Sequence, residues 1–316
     1  MINGNGTSER LLIKPEDLKS LEPEDREIGV HQFDWIPGTH VLLFNTALSG
    51  MGISDKDDLY MINADTLDWK ILRRAGEGGS FSVSPDGKHV VMVTPSKISL
   101  MKVDGTGYRS LLKYSQIDTR SEYYYYAHPI WSRDSQSLIV DIPPREFMDN
   151  PSVTPRIIWQ LFINGKPPKQ VAQLPAQYDY LISPNFSKIA YIRSQGNAVY
   201  EIHIANIDGS EDIVYQFGSG MILDSWSPDS ESFLLLSRYA QQYYLATLGN
   251  KPIPLTEKDS RHFLWIDESY FLYKTFYNGL CELHLGTVNQ PSTILATLHV
   301  DLVKGGCSNE PYDFAR

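Results

Sequence analysis

The chain has 316 residues, 42% of them hydrophobic and 21% charged, ordinary proportions for a globular protein. Its formal net charge of −10, with no run of basic residues to offset it, opposes attraction to nucleic acid or anionic lipid. No apolar stretch approaches the ~18 residues of a membrane-spanning helix, and two cysteines, Cys281 and Cys307, are too few for a disulfide framework although they permit one bridge.

Residues 1–29 read as a partly ordered N-terminal extension. Leu11-Leu12-Ile13 is its only apolar cluster and is too short for the core of a signal peptide. The opening Met1-Ile2-Asn3-Gly4 has the look of a trimmed start, so a cytoplasmic protein and a mature or trimmed form are both expected readings. Pro15 followed by Glu16-Asp17 marks the start of a short helix within Lys14–Glu24, the only helical signal in the chain.

From residue 30 onward a repeat dominates. Its anchors stand at Trp35, Val83, Trp131, Ile182, Trp226 and Trp265, spaced by 48, 48, 51, 44 and 39 residues, close to propeller-blade periods. The second copy, Val83-Ser84-Pro85-Asp86-Gly87, is the most complete. Pro fixes φ at the first corner of a turn, Asp suits the second, and Gly takes the left-handed position. Ser135 and Ser230 stand where Gly87 does, at a cost of roughly 1–2 kcal/mol in that conformation, so those two turns are expected to adopt another geometry. The copies at Trp35-Ile36-Pro37-Gly38 and Trp265-Ile266-Asp267-Glu268 are decayed.

Each anchor is followed by an apolar strand such as Val90–Val93 or Phe233–Leu236. A strand of alternating character comes next, as in Leu59–Ile62, Ile98–Val103, Val199–Ile204, Tyr243–Ala246 and Cys281–Leu285. A polar turn such as Asp104-Gly105 or Asp208-Gly209 then leads to a short fourth strand. Six repeats of four strands predict an all-β, six-bladed β-propeller over 30–298 with four antiparallel strands per blade, and a tail at 299–316. Each repeat holds a complete blade, so no exchanged strand is demanded; Glu24–Val30 or Leu298–Val303 could still add a clasp.

The anchor, apolar strand, alternating strand and Asp-Gly turn together resemble the repeats of the TolB-like propeller family, a WD-repeat-like architecture, over about residues 30–298. The resemblance implies the propeller fold and favours a periplasmic or extracellular location. It does not select a function, because such repeats occur in translocation proteins, lipoproteins, sensors and the propeller halves of prolyl-oligopeptidase-like enzymes.

In a propeller the strand ending at each anchor is expected to be the innermost, and the loops entering it to form the binding face. Three residues before the anchors stand Gln32, Ser80, His128, Asp179, Leu223 and His262, with Tyr180 and Asp224 one position later and His31 and Arg261 one earlier. His128 and His262 are expected to face each other over the channel mouth. These positions read as a polar ligand or metal pocket on one view and as a hydrated channel lining on the other; no metal is assigned. The long loop Ile142–Arg156, with Arg145 and Phe147, is a candidate partner contact or a variable insertion. The run Tyr123–Tyr126 is read as a strand that exposes alternate tyrosines, Tyr124 among them, or packs half of them between blades. Asp55–Asp58 lacks the glycine and distal Glu of a calcium loop and reads as a solvated acidic turn.

No Gly-x-Ser-x-Gly elbow, phosphate loop or dinucleotide fingerprint occurs. A non-enzymatic binding module for a protein, peptide or small polar ligand is therefore expected, monomeric and without a cofactor. The alternatives are a metal-dependent lyase or hydrolase using the channel, and the propeller half of a longer sensor or peptidase-like chain.

Overall fold

The computed structural model describes residues 11–14, 16–17, 28–48, 58–74, 79–121, 124–149, 154–174, 180–196, 199–215, 220–277, 280–288 and 290–299. Twenty-four strands form six four-stranded antiparallel sheets, each built from four consecutive strands. Blade 1 holds β1 (Ile28–Trp35), β2 (Val41–Leu48), β3 (Leu59–Asn63) and β4 (Trp69–Arg73). Blade 2 holds β5 (Ser80–Val83), β6 (His89–Thr94), β7 (Lys97–Lys102) and β8 (Arg109–Lys113). Blade 3 holds β9 (Ile130–Trp131), β10 (Ser137–Ile142), β11 (Arg156–Phe162) and β12 (Lys169–Leu174). Blade 4 holds β13 (Tyr180–Ile182), β14 (Lys188–Gly196), β15 (Val199–Asn206) and β16 (Ile213–Tyr215). Blade 5 holds β17 (Met221–Trp226), β18 (Ser232–Ser237), β19 (Gln242–Thr247) and β20 (Ile253–Pro254). Blade 6 holds β21 (Ser260–Trp265), β22 (Tyr270–Tyr277), β23 (Leu280–Thr287) and β24 (Gln290–His299).

The fold is the six-bladed β-propeller that the repeat predicts. Two compact units divide it, blades 1–3 in the residues up to 177 and blades 4–6 from 178 onward. Among the described residues no strand from one end of the chain joins a sheet at the other.

The core lies between the faces of successive blades. In β6 the period of two sends Val90 and Met92 to one side, where they meet Leu43 and Leu59 of blade 1. Val91 and Val93 go to the other, against Trp131, Leu138 and Val140 of blade 3. Ala190, Ile202 and Ile204 of blade 4 meet Leu223, Trp226 and Phe233 of blade 5 in the same way. Leu234 and Leu245 of blade 5 then meet Trp265, Phe271 and Tyr273 of blade 6. On blade 1 the face turned from blade 2, with Phe44 and Tyr60, is covered by Leu12 and Ile13 of the N-terminal segment.

The turn motif carries a second set of contacts. Ser84 Oγ donates to Asp86 Oδ1 at 2.6 Å, Gly87 N–H to Ser84 O at 2.8 Å and Lys88 N–H to Asp86 Oδ1 at 3.1 Å. The same pattern recurs at Ser132–Gln136, Ser183–Ser187 and Ser227–Glu231. Here the expectation for Ser135 and Ser230 needs correction. Both keep the left-handed backbone, with φ of 59° and 69°, beside Gly87 at 67°. Ser135 Oγ accepts the Asp86 N–H of blade 2 at 3.0 Å, and Ser230 Oγ accepts the Asn185 N–H of blade 4 at 3.0 Å. A hydrogen bond of about 1 kcal/mol offsets the strain of the αL backbone. At the corresponding position of blade 2, an added Cβ on Gly87 would stand 3.1 Å from Pro37 O of blade 1, a tight contact.

The anchor tryptophans bond across blades as well. Trp226 Nε1–H donates to Leu181 O at 3.1 Å and Trp131 Nε1–H to Ser82 O at 3.4 Å. The tyrosine run differs from the sequence reading: residues 124–129 are not in a strand, and β9 begins only at Ile130. Pro129 offers no N–H for pairing and restricts the residue before it. Cys281 is buried in β23, as read, and is also disulfide-bonded.

Candidate functional site

The first strands of blades 5 and 6 carry a β-bulge at related places. In β17 the pairing with β18 breaks between Leu223 and Trp226, so Asp224 and Ser225 together oppose one residue. In β21 the pairing with β22 breaks between Arg261 and Leu264, which leaves His262 and Phe263 in the same situation. A bulge re-aims side chains that a regular strand would send to alternate faces. His262 also sits at φ 54°, a left-handed conformation costly for a residue with a Cβ.

Both bulges open on one cavity of about 350 Å³ between blades 5 and 6, lined by Asp224, Tyr243, Ser260, Arg261, His262 and Phe263, with Leu236 and Gln241. Ser225 Oγ donates to Asp224 Oδ2 at 3.0 Å. Among the described residues neither Asp224 nor Arg261 has an ion-pair partner. Burial holds the Asp224 carboxyl above its ordinary value, partly offset by that serine. Tyr243, almost wholly buried in β19, is pushed up to about 12, first by burial and then by the charge of Asp224. Its hydroxyl accepts the Phe263 N–H at 3.5 Å, which ties β19 to the β21 bulge. The His262 imidazole is held below its usual value by burial, then by the positive charges of Lys274 and Arg261. Lys274 is buried in β22 directly across from Arg261. The site thus offers one carboxylate, one exposed guanidinium, a neutral imidazole and a protonated phenol around a partly apolar wall.

Three of the sequence-expected residues, Asp224, Arg261 and His262, are brought together here. Tyr243 was missed: it stands in an alternating strand whose pattern reads as packing, although that alternation does place it and Leu245 on one face. Asp179 lies outside the described residues, as does the side chain of His31. Tyr180 is half-buried in β13 and does not line the cavity. Gln32, also beside a bulge, is engaged by blade 2: its Nε2–H donates to Phe81 O at 2.6 Å while its Oε1 accepts Phe81 N–H at 3.2 Å and the Ser80 hydroxyl at 3.3 Å.

In the first unit, His128 and Tyr124 are exposed on the segment before β9. The loop after β10 is docked rather than free at its described end. Arg145 O accepts the Asp118 N–H at 3.1 Å, Arg120 pairs with Asp149, and the Arg156 guanidinium lies 5.6 Å from the Phe147 ring centroid while its Nε meets Asp141 Oδ2 at 3.1 Å. Arg145 and Met148 remain exposed there. No group of three or more His, Cys, Asp or Glu able to hold a metal ion occurs among the described residues. No described helix is long and apolar enough to cross a membrane.

No family model and no curated protein matches the sequence. Solved structures do match in shape. The acylaminoacyl peptidase of Pyrococcus horikoshii superposes with a TM-score of 0.60 at 11% identity, covering 84% of this chain and 46% of that one. The β-propeller domain of the Trilobed protease from Pyrococcus furiosus, described as having an open velcro topology, gives 0.59 at 12%, covering 84% of each chain. An oligogalacturonate lyase from Vibrio parahaemolyticus gives 0.59 at 12%, covering 85% and 78%. The chain spans about half the length of the peptidases it matches, 46% in each of two. At these identities the likeness is one of fold, and the fold is the six-bladed propeller that the resemblance to TolB-like repeats implied.

Proposed function

We propose that the chain is a non-enzymatic binding module and that a small polar ligand or the end of a peptide seats in the cavity between blades 5 and 6. One observation carries this reading. The bulges of β17 and β21 hold Asp224 and His262, which line with Arg261 a single concave space of about 350 Å³, and His262 holds a strained backbone there. Cavities with a few convergent polar groups on an apolar wall are the usual form of small-ligand sites. A carboxylate kept from ion pairing costs stability, which is understandable where a ligand completes it.

Tyr124, Arg145 and Phe147 in the first unit form a second, independent candidate contact, for a protein or peptide partner. The exposure of Tyr124 beside a loop anchored through Arg120 and Asp149 supports it. A disulfide at Cys281 supports an oxidising location, periplasmic or extracellular. The protein is proposed to act as a monomer without a cofactor.

The test is a thermal-shift and ligand-observed NMR screen of small polar compounds and short peptides against the wild type, Asp224→Asn and Tyr124→Ala. Hits lost in Asp224→Asn and kept in Tyr124→Ala place the ligand in the cavity. A hit set indifferent to Asp224→Asn rejects the site.

A further inference from the structure

The cavity between blades 5 and 6 holds two formal charges of opposite sign, and they do not neutralise each other. Asp224 is half-buried, with the Ser225 hydroxyl as its partner, and Arg261, exposed, lines the same space. They form no ion pair with one another or with any other described residue. The remaining titratable groups of the lining, His262 and Tyr243, are neutral near pH 7 because burial disfavours their charged forms.

Resting on the binding reading above, we infer that this cavity takes a zwitterion, a free α-amino acid whose ammonium group meets Asp224 and whose carboxylate meets Arg261. A purely cationic ligand would satisfy Asp224 but would enter against Arg261 and the buried Lys274. A purely anionic ligand would reach Arg261 and be repelled by Asp224. A ligand carrying both charges relieves both, and an α-amino acid is the smallest that does. Depth sets its direction. The ammonium goes inward to the half-buried carboxylate and the carboxylate stays at the mouth, where a guanidinium can bind it with two parallel hydrogen bonds. Leu236 and Phe263 provide an apolar wall for the side chain, which selects apolar or aromatic amino acids over charged ones. The volume of about 350 Å³ is at the small end for ligand sites and suits a ligand of this size.

The experiment is isothermal titration calorimetry of the full chain with L-leucine and L-phenylalanine, and with the N-acetyl and the carboxamide derivative of each. The free amino acids are expected to bind on the order of tenfold or more tighter than either capped form, since each cap removes one charge-assisted contact. Asp224→Asn should abolish the discrimination against acetylation, and Arg261→Gln the discrimination against amidation. Circular dichroism melts of both variants confirm that they are folded. Capped forms that bind as well as the free amino acids, in a manner sensitive to Asp224→Asn, overturn the zwitterion while the cavity stands as a ligand site. No binding by any free amino acid also overturns it, and the compound screen described above then decides the cavity separately.

Discussion

The hydroxyl of Ser135 accepts a hydrogen bond from the backbone N–H of Asp86 at 3.0 Å, so that the turn of blade 3 closes on the turn of blade 2. Ser230 and Asn185 repeat the relationship between blades 5 and 4. The serine therefore does two things at a position where glycine does one. Ser135→Ala loses the bond and keeps the left-handed strain, and should lower stability by roughly 1–2 kcal/mol. Ser135→Gly loses the bond but relieves the strain, and should fall within about 0.5 kcal/mol of the wild type. Urea midpoints followed by far-ultraviolet circular dichroism check the order. A glycine variant less stable than the alanine variant contradicts the offset.

The anchor tryptophans predict a graded effect. Trp226→Phe removes the indole N–H bond to Leu181 O at 3.1 Å and part of a buried side chain packed on Phe233. The expected loss is about 2–3 kcal/mol. Trp131→Phe removes a longer bond, 3.4 Å, and should cost less. Equal losses in parallel urea melts would mean that packing alone sets the effect.

Asp224 gives a pH signature. Its folded pKa is raised above the ordinary value of 3.8 by burial. Between the unfolded and folded values the native state binds more protons than the unfolded one, so this group's contribution to stability is present below the unfolded pKa and is lost as pH rises through the folded one. Asp224→Asn removes that loss. The variant should be more stable than the wild type at pH 7, with the difference shrinking towards pH 3.5. Melting temperatures across that range test the sign, and a variant destabilised at neutral pH rejects it.

His262 should show the opposite balance of stability and binding. At φ 54° its backbone is strained, and His262→Gly should be more stable than His262→Ala by about 1 kcal/mol. Both should weaken ligand capture, because the imidazole lines the cavity. Equal stability of the two variants would show that the position carries no strain.

The blades, the strand count and the turn chemistry were legible because they are local. A period-two apolar pattern and a Ser-Pro-Asp-Gly corner act within about ten residues, and the six anchors repeat them. Ser135 and Ser230 misled for the same reason. Read locally they are poor substitutes for glycine, and the hydrogen bond that compensates each comes from a residue 49 or 45 positions away in the preceding blade. Tyr124–Tyr126 lie outside any strand, and Pro129, which has no N–H to pair, stands immediately before β9.

The candidate site was only half legible. Counting back from the anchors found Asp224, Arg261 and His262, since inner-strand residues occupy fixed places in each repeat. It also found Gln32, whose amide is spent on Phe81 and Ser80. Sequence by itself determined the all-β propeller, because periodicity and turn residues express a preference of each short segment. Tertiary structure alone decided that β17 and β21 bulge, that Tyr243 reaches the second bulge, and that Asp224 and Arg261 share a cavity without pairing. A bulge depends on the register of a strand against its neighbours, and a cavity on what two blades fail to fill between them, so neither is encoded in any single segment.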